Sequence, residues 1–555
     1  MAERAIYLSL KHQSIAGNRA MNAAHGYVQR RKATAWAPPE KPPGPADLAA
    51  AREILAPATL YRFVQGVDAG PEVMKPEQRS GLNDPMAATF FNKGLFPLTL
   101  GDVMAGLDDA GAVPGVKSYL VGETGQIPPD EAPQLERDFR FAIVRGGDSK
   151  ADLMISTSAA DASEAAFLQI ASWDDSAGVF NYYMRLDATW VWSGNSYTAL
   201  APESRGQACF DSHANGSVVM KELTAPWMHW QSQNSTILLA SDSPVRSSPY
   251  YQSPPLTGAE DLETTVRAAV DRWTVARLRS ATASETIEHP DWLLRQLCTS
   301  TTVNLATSPV EFKTLSADAA FSPPLGLWFN SEALLNTLAI PADISLPAMN
   351  GGDYLHGVSK YEFALEAEGF TRKGDSFFAF AVPVPAFEDL NVIDHLVASG
   401  TISAKFAACV LMVDFCNPLF SARRTALMRY CPTGSTAPDV LTSTIADAIV
   451  TAAGHLTKTS PEFEFAAYWM LTDEAWPKEF AQKIEHYMTS VNRRIATPAG
   501  VDDYIRLSES RRREFKAMKI NEFTLTLPVT NIPANAPLLD TRPDGTVGPR
   551  TPDLK

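Results

Sequence analysis

The sequence predicts an α+β protein, with an aromatic antiparallel β-meander in the first half and a mainly helical C-terminal half. Three observations carry this expectation. Between residues 151 and 200, four short runs rich in aromatic and β-branched residues follow one another, and turn-forming residues separate the last three. After about residue 258, apolar residues recur at helical spacing and keep doing so to about 518. At 555 residues the chain also exceeds the length over which one hydrophobic core usually grows, so two or more lobes are expected.

Taken in order, residues 1–45 read as a basic arm followed by a proline-rich spacer. Arg4, Lys11, Arg19, Arg30, Arg31 and Lys32 have few carboxylates among them, and Trp36–Pro45 carries five prolines in its last eight positions. Proline removes donors and fixes φ, so the spacer is extended. Such an arm would reach a protein partner; a strapped-on terminus is the plainer alternative. Residues 46–257 form a mixed lobe. It opens with a helix over Ala46–Ile54 and continues through glycine and proline joints at Gly81, Pro85, Gly94, Pro97 and Gly101. The meander then runs through Asp152–Ser156, Ala166–Ala171, Val179–Leu186 and Thr189–Ser193. Trp190 and Trp192 are two apart and share a face of their strand.

Residues 258–532 read as the helical lobe. Glu260–Ser280 places Leu262, Val266, Ala269, Val270, Trp273 and Leu278 near helical spacing. Further helices are expected over Asp291–Leu305, Ser331–Ile340, Ala386–Ala398, Ser403–Asp414, Ala437–His455, Pro477–Ala496 and Val501–Met518. Phe377–Val384 reads as a buried strand between them, and Thr524–Val529 as an edge strand. Gly351–Gly357 reads as a glycine-bounded loop carrying Asp353 and His356. Residues 533–555 are rich in Pro, Gly, Asp and Arg and are expected as a disordered tail.

Composition narrows the function classes. A net charge of −15 argues against a phosphate-binding surface, because nucleic-acid affinity rests on clustered Lys and Arg. Five cysteines with no CxxC pair suggest neither a disulfide framework nor a zinc ribbon. No window approaches eighteen apolar residues, and Ala5–Leu10 is too short for a secretory h-region. The expectation is a soluble cytoplasmic protein without membrane or nucleic-acid partners. GxGxxG after a strand, GxxxxGK[ST], HExxH and GxSxG are all missing, which removes most of the case for nucleotide-dependent transfer, zincin proteolysis and elbow-type serine hydrolysis.

One stretch concentrates chemistry-bearing side chains. Cys209, Asp211, Ser212, His213, Met220, Lys221, Glu222, Trp227, His229 and Trp230 fall within about twenty residues. Cys209-Phe210-Asp211-Ser212-His213, continued by Asn215-Gly216, Met220–Leu223 and Pro226-Trp227, resembles the haem-attachment region of uncharacterised bacterial cytochrome-c-like proteins. The resemblance spans some thirty residues of 555, and Ser212 stands where the second cysteine of Cys-x-x-Cys-His would be. It implies a haem or a transition metal (iron or copper) with His213 as a ligand, and an oxidoreductase activity. Ser212 cannot form a thioether, so a non-covalent site is the form expected.

Within that reading His213 and His229 are the metal candidates and Met220 a softer axial one. Asp211, His213, Lys221 and Glu222 are the catalytic candidates, supplying proton transfer and a cation for an anionic small-molecule substrate. Cys209, Met220, Trp227 and Trp230 would line the cofactor, with Trp190 and Trp192 joining from the meander. Three alternatives stand beside it. The stretch is structural, with a turn at Asn215-Gly216 and a solvated Lys221–Glu222 pair. Or Cys209 and His213 do metal-free acid–base or nucleophilic chemistry. Or the protein is a non-catalytic binding or assembly protein.

Overall fold

The computed structural model describes residues 55–550 apart from 136, 148–149, 165, 253–255, 284, 309–314, 368, 375–379 and 519–526. The basic arm, the spacer and the Ala46–Ile54 helix therefore lie outside the described residues.

The first half is built on an eight-stranded sheet: β1 (Leu60–Arg62), β2 (Glu72–Val73), β3 (Val116–Val121), β4 (Arg140–Arg145), β5 (Leu153–Ser158), β6 (Leu168–Asp174), β7 (Val179–Leu186) and β8 (Thr189–Asn195). Their order is β2-β1-β8-β7-β6-β5-β4-β3. The expected meander accounts for β5 to β8, and it extends two strands further back. β3 to β8 are antiparallel throughout, whereas β1 runs parallel to β8.

Both faces of this sheet are covered, which explains why β7 is buried at every position. Trp190, Trp192, Tyr183, Ile143, Ile155 and Ile170 pack on one face against Phe91, Val103 and Leu107, the last two from helix α1 (Leu100–Asp109). Tyr182, Met184, Phe180, Val191 and Val144 pack on the other, against Leu262, Val266, Val270 and Trp273 of α2 (Ala259–Thr282). The buried Asp84 ties the first cover to the sheet. Its carboxylate caps the short helix Pro85–Thr89 through Met86 N (3.0 Å) and Ala87 N, and accepts from Tyr183 Oη at 2.6 Å.

The second half is mainly helical, with α3 (Pro290–Cys298), α4 (Gly351–Lys360), α5 (Phe387–Ala398), α6 (Ala404–Met412), α7 (Pro438–Ala453), α8 (Pro461–Trp469), α9 (Trp476–Ile495) and α10 (Pro498–Met518). From Phe406 to Met412, α6 is buried all round and forms the centre of this lobe, which fits its near-continuous apolar sequence. Leu294, Leu396, Ile449, Phe465, Ile484, Tyr487 and Ile505 close around it. Small antiparallel pairs decorate the bundle: β9 (Val303–Ala306) with β14 (Val382–Pro385), β10 (Ala320–Phe321) with β11 (Met349–Asn350), β12 (Ala364–Ala367) with β13 (Phe370–Lys373), and β15 (Leu539–Thr541) with β16 (Val547–Pro549).

Several expectations are corrected here. The Asp291–Leu305 helix stops at Cys298, and Thr299–Thr302 leads into β9, because a run of Thr and Ser favours extended backbone over a further helical turn. Ser331–Ile340 holds only a single wide turn over Glu332–Thr337. Gly351–Gly357 is not a loop but the start of α4, where Asn350 caps the Gly352 and Asp353 amides and Tyr354 and Val358 fill the core. The expected tail carries an ordered hairpin over 539–549. Asn417 Nδ2 donates to Thr541 O at 2.9 Å, and Arg550 grips Glu514 at 2.7 Å and Asp540 at 2.9 Å. Part of Thr524–Val529 and of Phe377–Val384 lies outside the described residues; Val529 bridges Ala364, and the second stretch contributes β14.

Candidate functional site

The stretch from 208 to 230 leaves the sheet and runs along the boundary with the helical lobe. It begins with a tight turn over Ala208–Asp211. Phe210 packs edge-on against Tyr182 of β7 with ring centroids 5.4 Å apart, so the turn is anchored in the apolar layer below α2. Cys209 belongs to the same layer at 5% exposure, and its burial beside the Asp211 carboxylate pushes the thiol up to about 12. Cys209 is thus a protonated thiol at neutral pH, without the thiolate character a nucleophile needs.

Asp211, Ser212 and His213 are half-buried and keep an edge toward solvent. Desolvation pushes the Asp211 carboxyl up to about 7, against a hydrogen bond from Ser212 Oγ at 3.1 Å and the nearby cations Arg140 and Lys221. His213 lies over the Tyr182 ring with centroids 4.9 Å apart. Its Nδ1 is 2.8 Å from Ser217 O. A carbonyl only accepts, so Nδ1 carries the hydrogen and Nε2 presents its lone pair. Burial, reinforced by Lys221, brings the imidazole down to about 4 despite that hydrogen bond. Carboxyl and imidazole are therefore pushed in opposite directions by their surroundings, around one buried cation.

Lys221, Asn215 and Glu222 bind the stretch to its neighbours. Lys221 is 2% exposed and donates from Nζ to Thr302 Oγ1, while its carbonyl accepts from Leu305 N at 2.9 Å. Asn215 Nδ2 donates to Thr301 Oγ1 at 2.8 Å and to Asp389 Oδ1 at 3.2 Å, and its carbonyl accepts from Trp273 Nε1 at 2.8 Å. Desolvation lifts Asp389 to about 7 as well. Glu222 is 3% exposed; it accepts from Met228 N at 2.7 Å and His229 N at 3.1 Å, and faces the His229 ring at 3.2 Å. The Lys221–Glu222 dipeptide is thus buried with both side chains committed inside the protein, and not a solvated pair.

Asp211, His213, Lys221 and Cys209 therefore share one neighbourhood, and Glu222 and His229 form a second contact. His213 and His229 each have their own partners, a carbonyl in one case and a carboxylate in the other. Met220, Trp227 and Trp230 fill the apolar layer with Tyr182 and Trp273, whereas Trp190 and Trp192 point to the opposite face of the sheet. The four tryptophans consequently build no common wall. Among the described residues no group of three or more His, Cys, Asp and Glu could hold a metal ion. The packing leaves Cys209 inside the apolar layer and gives His213 and His229 separate partners.

Thr301, Thr302, Asn304 and Asp389 complete the site from the helical lobe. They lie eighty or more residues from the stretch they bind, and only the hydrogen-bonding capacity of the Thr299–Thr302 run hinted at a polar surface there. No helix among the described residues is long and apolar enough to cross a membrane. No family model, no curated protein and no solved structure matches this chain.

Proposed function

We propose that this protein is an enzyme that moves protons at the 211–213 turn of a small-molecule substrate site, without a metal. His213 Nε2 is the general base and Asp211 the group that donates and regains a proton near neutral pH. The observation that carries this reading is the Nδ1–H to Ser217 carbonyl hydrogen bond, which leaves a neutral imidazole with its Nε2 lone pair available. Burial keeps His213 unprotonated at neutral pH, at the cost of basicity, so it suits a substrate proton that is already acidic; Asp211 titrates close to neutral pH and can both release and regain a proton. The Ser212 hydroxyl and amide, and after them the charges of Arg140 and Lys221, keep Asp211 ionisable in a site that desolvation would otherwise keep neutral.

Two results test the proposal independently of the substrate. Nitrogen-15 NMR of histidine-labelled protein is expected to show the His213 Nε2 unprotonated from pH 5.5 to 8. A protonated Nε2 at pH 7 would refute it. Screening against carbonyl compounds with acidic C–H bonds, carboxylic esters and phosphoesters should then find turnover that His213→Gln abolishes and His455→Ala leaves intact. A proton-transfer activity that survives His213→Gln would count equally against it.

A further inference from the structure

A cleft that shares no residue with that stretch lies where α9 faces the turn after α6 and the start of α8. It encloses about 650 Å³, in the range of small-molecule sites. We infer that this cleft binds a small zwitterion carrying both an ammonium and a carboxylate, of the amino-acid class.

Its two walls differ in what they leave unsatisfied. The wall after α6 is internally neutralised. Arg423 Nη2 pairs with Glu464 Oε2 at 2.8 Å, and the other Glu464 oxygen accepts from Tyr468 Oη at 3.1 Å. Asp414 accepts from Asn417 Nδ2 at 2.8 Å and Ser421 Oγ at 2.6 Å, and desolvation raises its carboxyl. Its backbone sits at φ 54, in the left-handed region that Asp tolerates better than most residues. That wall supplies shape and a fixed polar rim.

The α9 wall is the reverse. Glu479, Lys483 and His486 are exposed and spaced four and three residues apart, so they line one face of the helix toward the cleft. Glu479 and Lys483 have the i,i+4 order that normally pairs on a helix. Here they make no ion pair with each other or with any described residue; the Lys483 ammonium instead lies 5.4 Å over the Tyr468 ring. One unpaired carboxylate and two nitrogen bases on a single helix face, at the mouth of an otherwise neutralised cleft, complement a ligand of both signs. The ligand's carboxylate would meet Lys483 and His486, and its ammonium Glu479. A simple anion would leave Glu479 unmet and repel it; a simple amine would do the same to Lys483.

The test uses the full-length protein and pools of the twenty free amino acids, scored by thermal shift and then by calorimetry. At least one amino acid is expected to bind, with its N-acetyl derivative and its decarboxylated amine each weaker by tenfold or more. Lys483→Met and Glu479→Gln, both on exposed positions and so expected to fold, should each weaken that amino acid at least tenfold. The inference is overturned if no amino acid binds at 10 mM, if acetate or ethylamine binds as well as the amino acid, or if both variants bind like the parent.

Discussion

Glu222→Ala isolates the part that the buried carboxylate plays. In the native protein its two oxygens receive the amides of Met228 and His229 at 2.7 and 3.1 Å, and the side chain is 3% exposed. Alanine removes both acceptors and leaves two amide hydrogens in a place water does not reach. A hydrogen bond to a charged group contributes about 1.5–3 kcal/mol net, so two of them give a loss of about 4 kcal/mol for the variant. Glu222→Gln keeps one acceptor and turns its amide donors toward an N–H, so roughly half that loss is expected. Urea unfolding followed by tryptophan fluorescence reads the difference as a shift in midpoint at unchanged slope. Glu479→Gln, on the exposed face of α9, serves as the control and should stay within about 0.5 kcal/mol of the parent. A loss under about 1 kcal/mol for Glu222→Ala would refute the idea that this carboxylate holds the 222–229 turn.

The pH dependence of stability should carry the signatures of the buried acids. Asp389 is pushed up to about 7, so the folded state binds its proton more tightly than the unfolded chain does; stability falls as pH rises from the ordinary carboxylate range to 7 and is fully reduced above it. His213, brought down to about 4, acts oppositely, its contribution being lost as pH falls from about 6.5 toward 4. Asp389→Asn should therefore flatten the decline between pH 4 and 7.5 by roughly 3 kcal/mol in urea midpoints taken across that range, and a decline as steep as the parent's would sink the assignment. Gly216 has φ 80, and a Cβ there would lie 2.4 Å from Ser196 O. Gly216→Ala is expected to cost about 3 kcal/mol or more by thermal denaturation, and a neutral result would show that the Asn215–Ser217 turn can relax.

The packing separates the two residues that end the Cys209–His213 segment. Cysteine and histidine one turn apart suggest a shared ligand. In the folded protein the thiol is sealed beneath Phe210 and Tyr182, while the imidazole stays at the edge with its tautomer set by Ser217 O. The second group is half-buried and the first is fully buried.

Local pattern determined much of the architecture. The strand β7 and the helix α2 follow from residues within each segment, because aromatic and β-branched runs suit a pleated surface and a 3.6-residue apolar period suits a packed helix. Where local and long-range preferences disagreed, tertiary contact decided. Gly351 and Gly352 begin a helix because Asn350 caps it and Tyr354 reaches the core; Val303–Ala306 became a strand because β14 offered its edge; the polar 539–549 stretch ordered because Asn417, Glu514 and Tyr504 hold it. The sites were less legible still. Trp190 and Trp230 are forty residues apart with a sheet between them, and the cleft joins Asp414, Glu464 and His486 across some seventy residues. Composition and period are properties of neighbours along the chain, so they specify elements and faces. Which faces meet, which carboxylate loses its water and which charge is left without a partner depend on residues distant in sequence, and those belong to the tertiary structure alone.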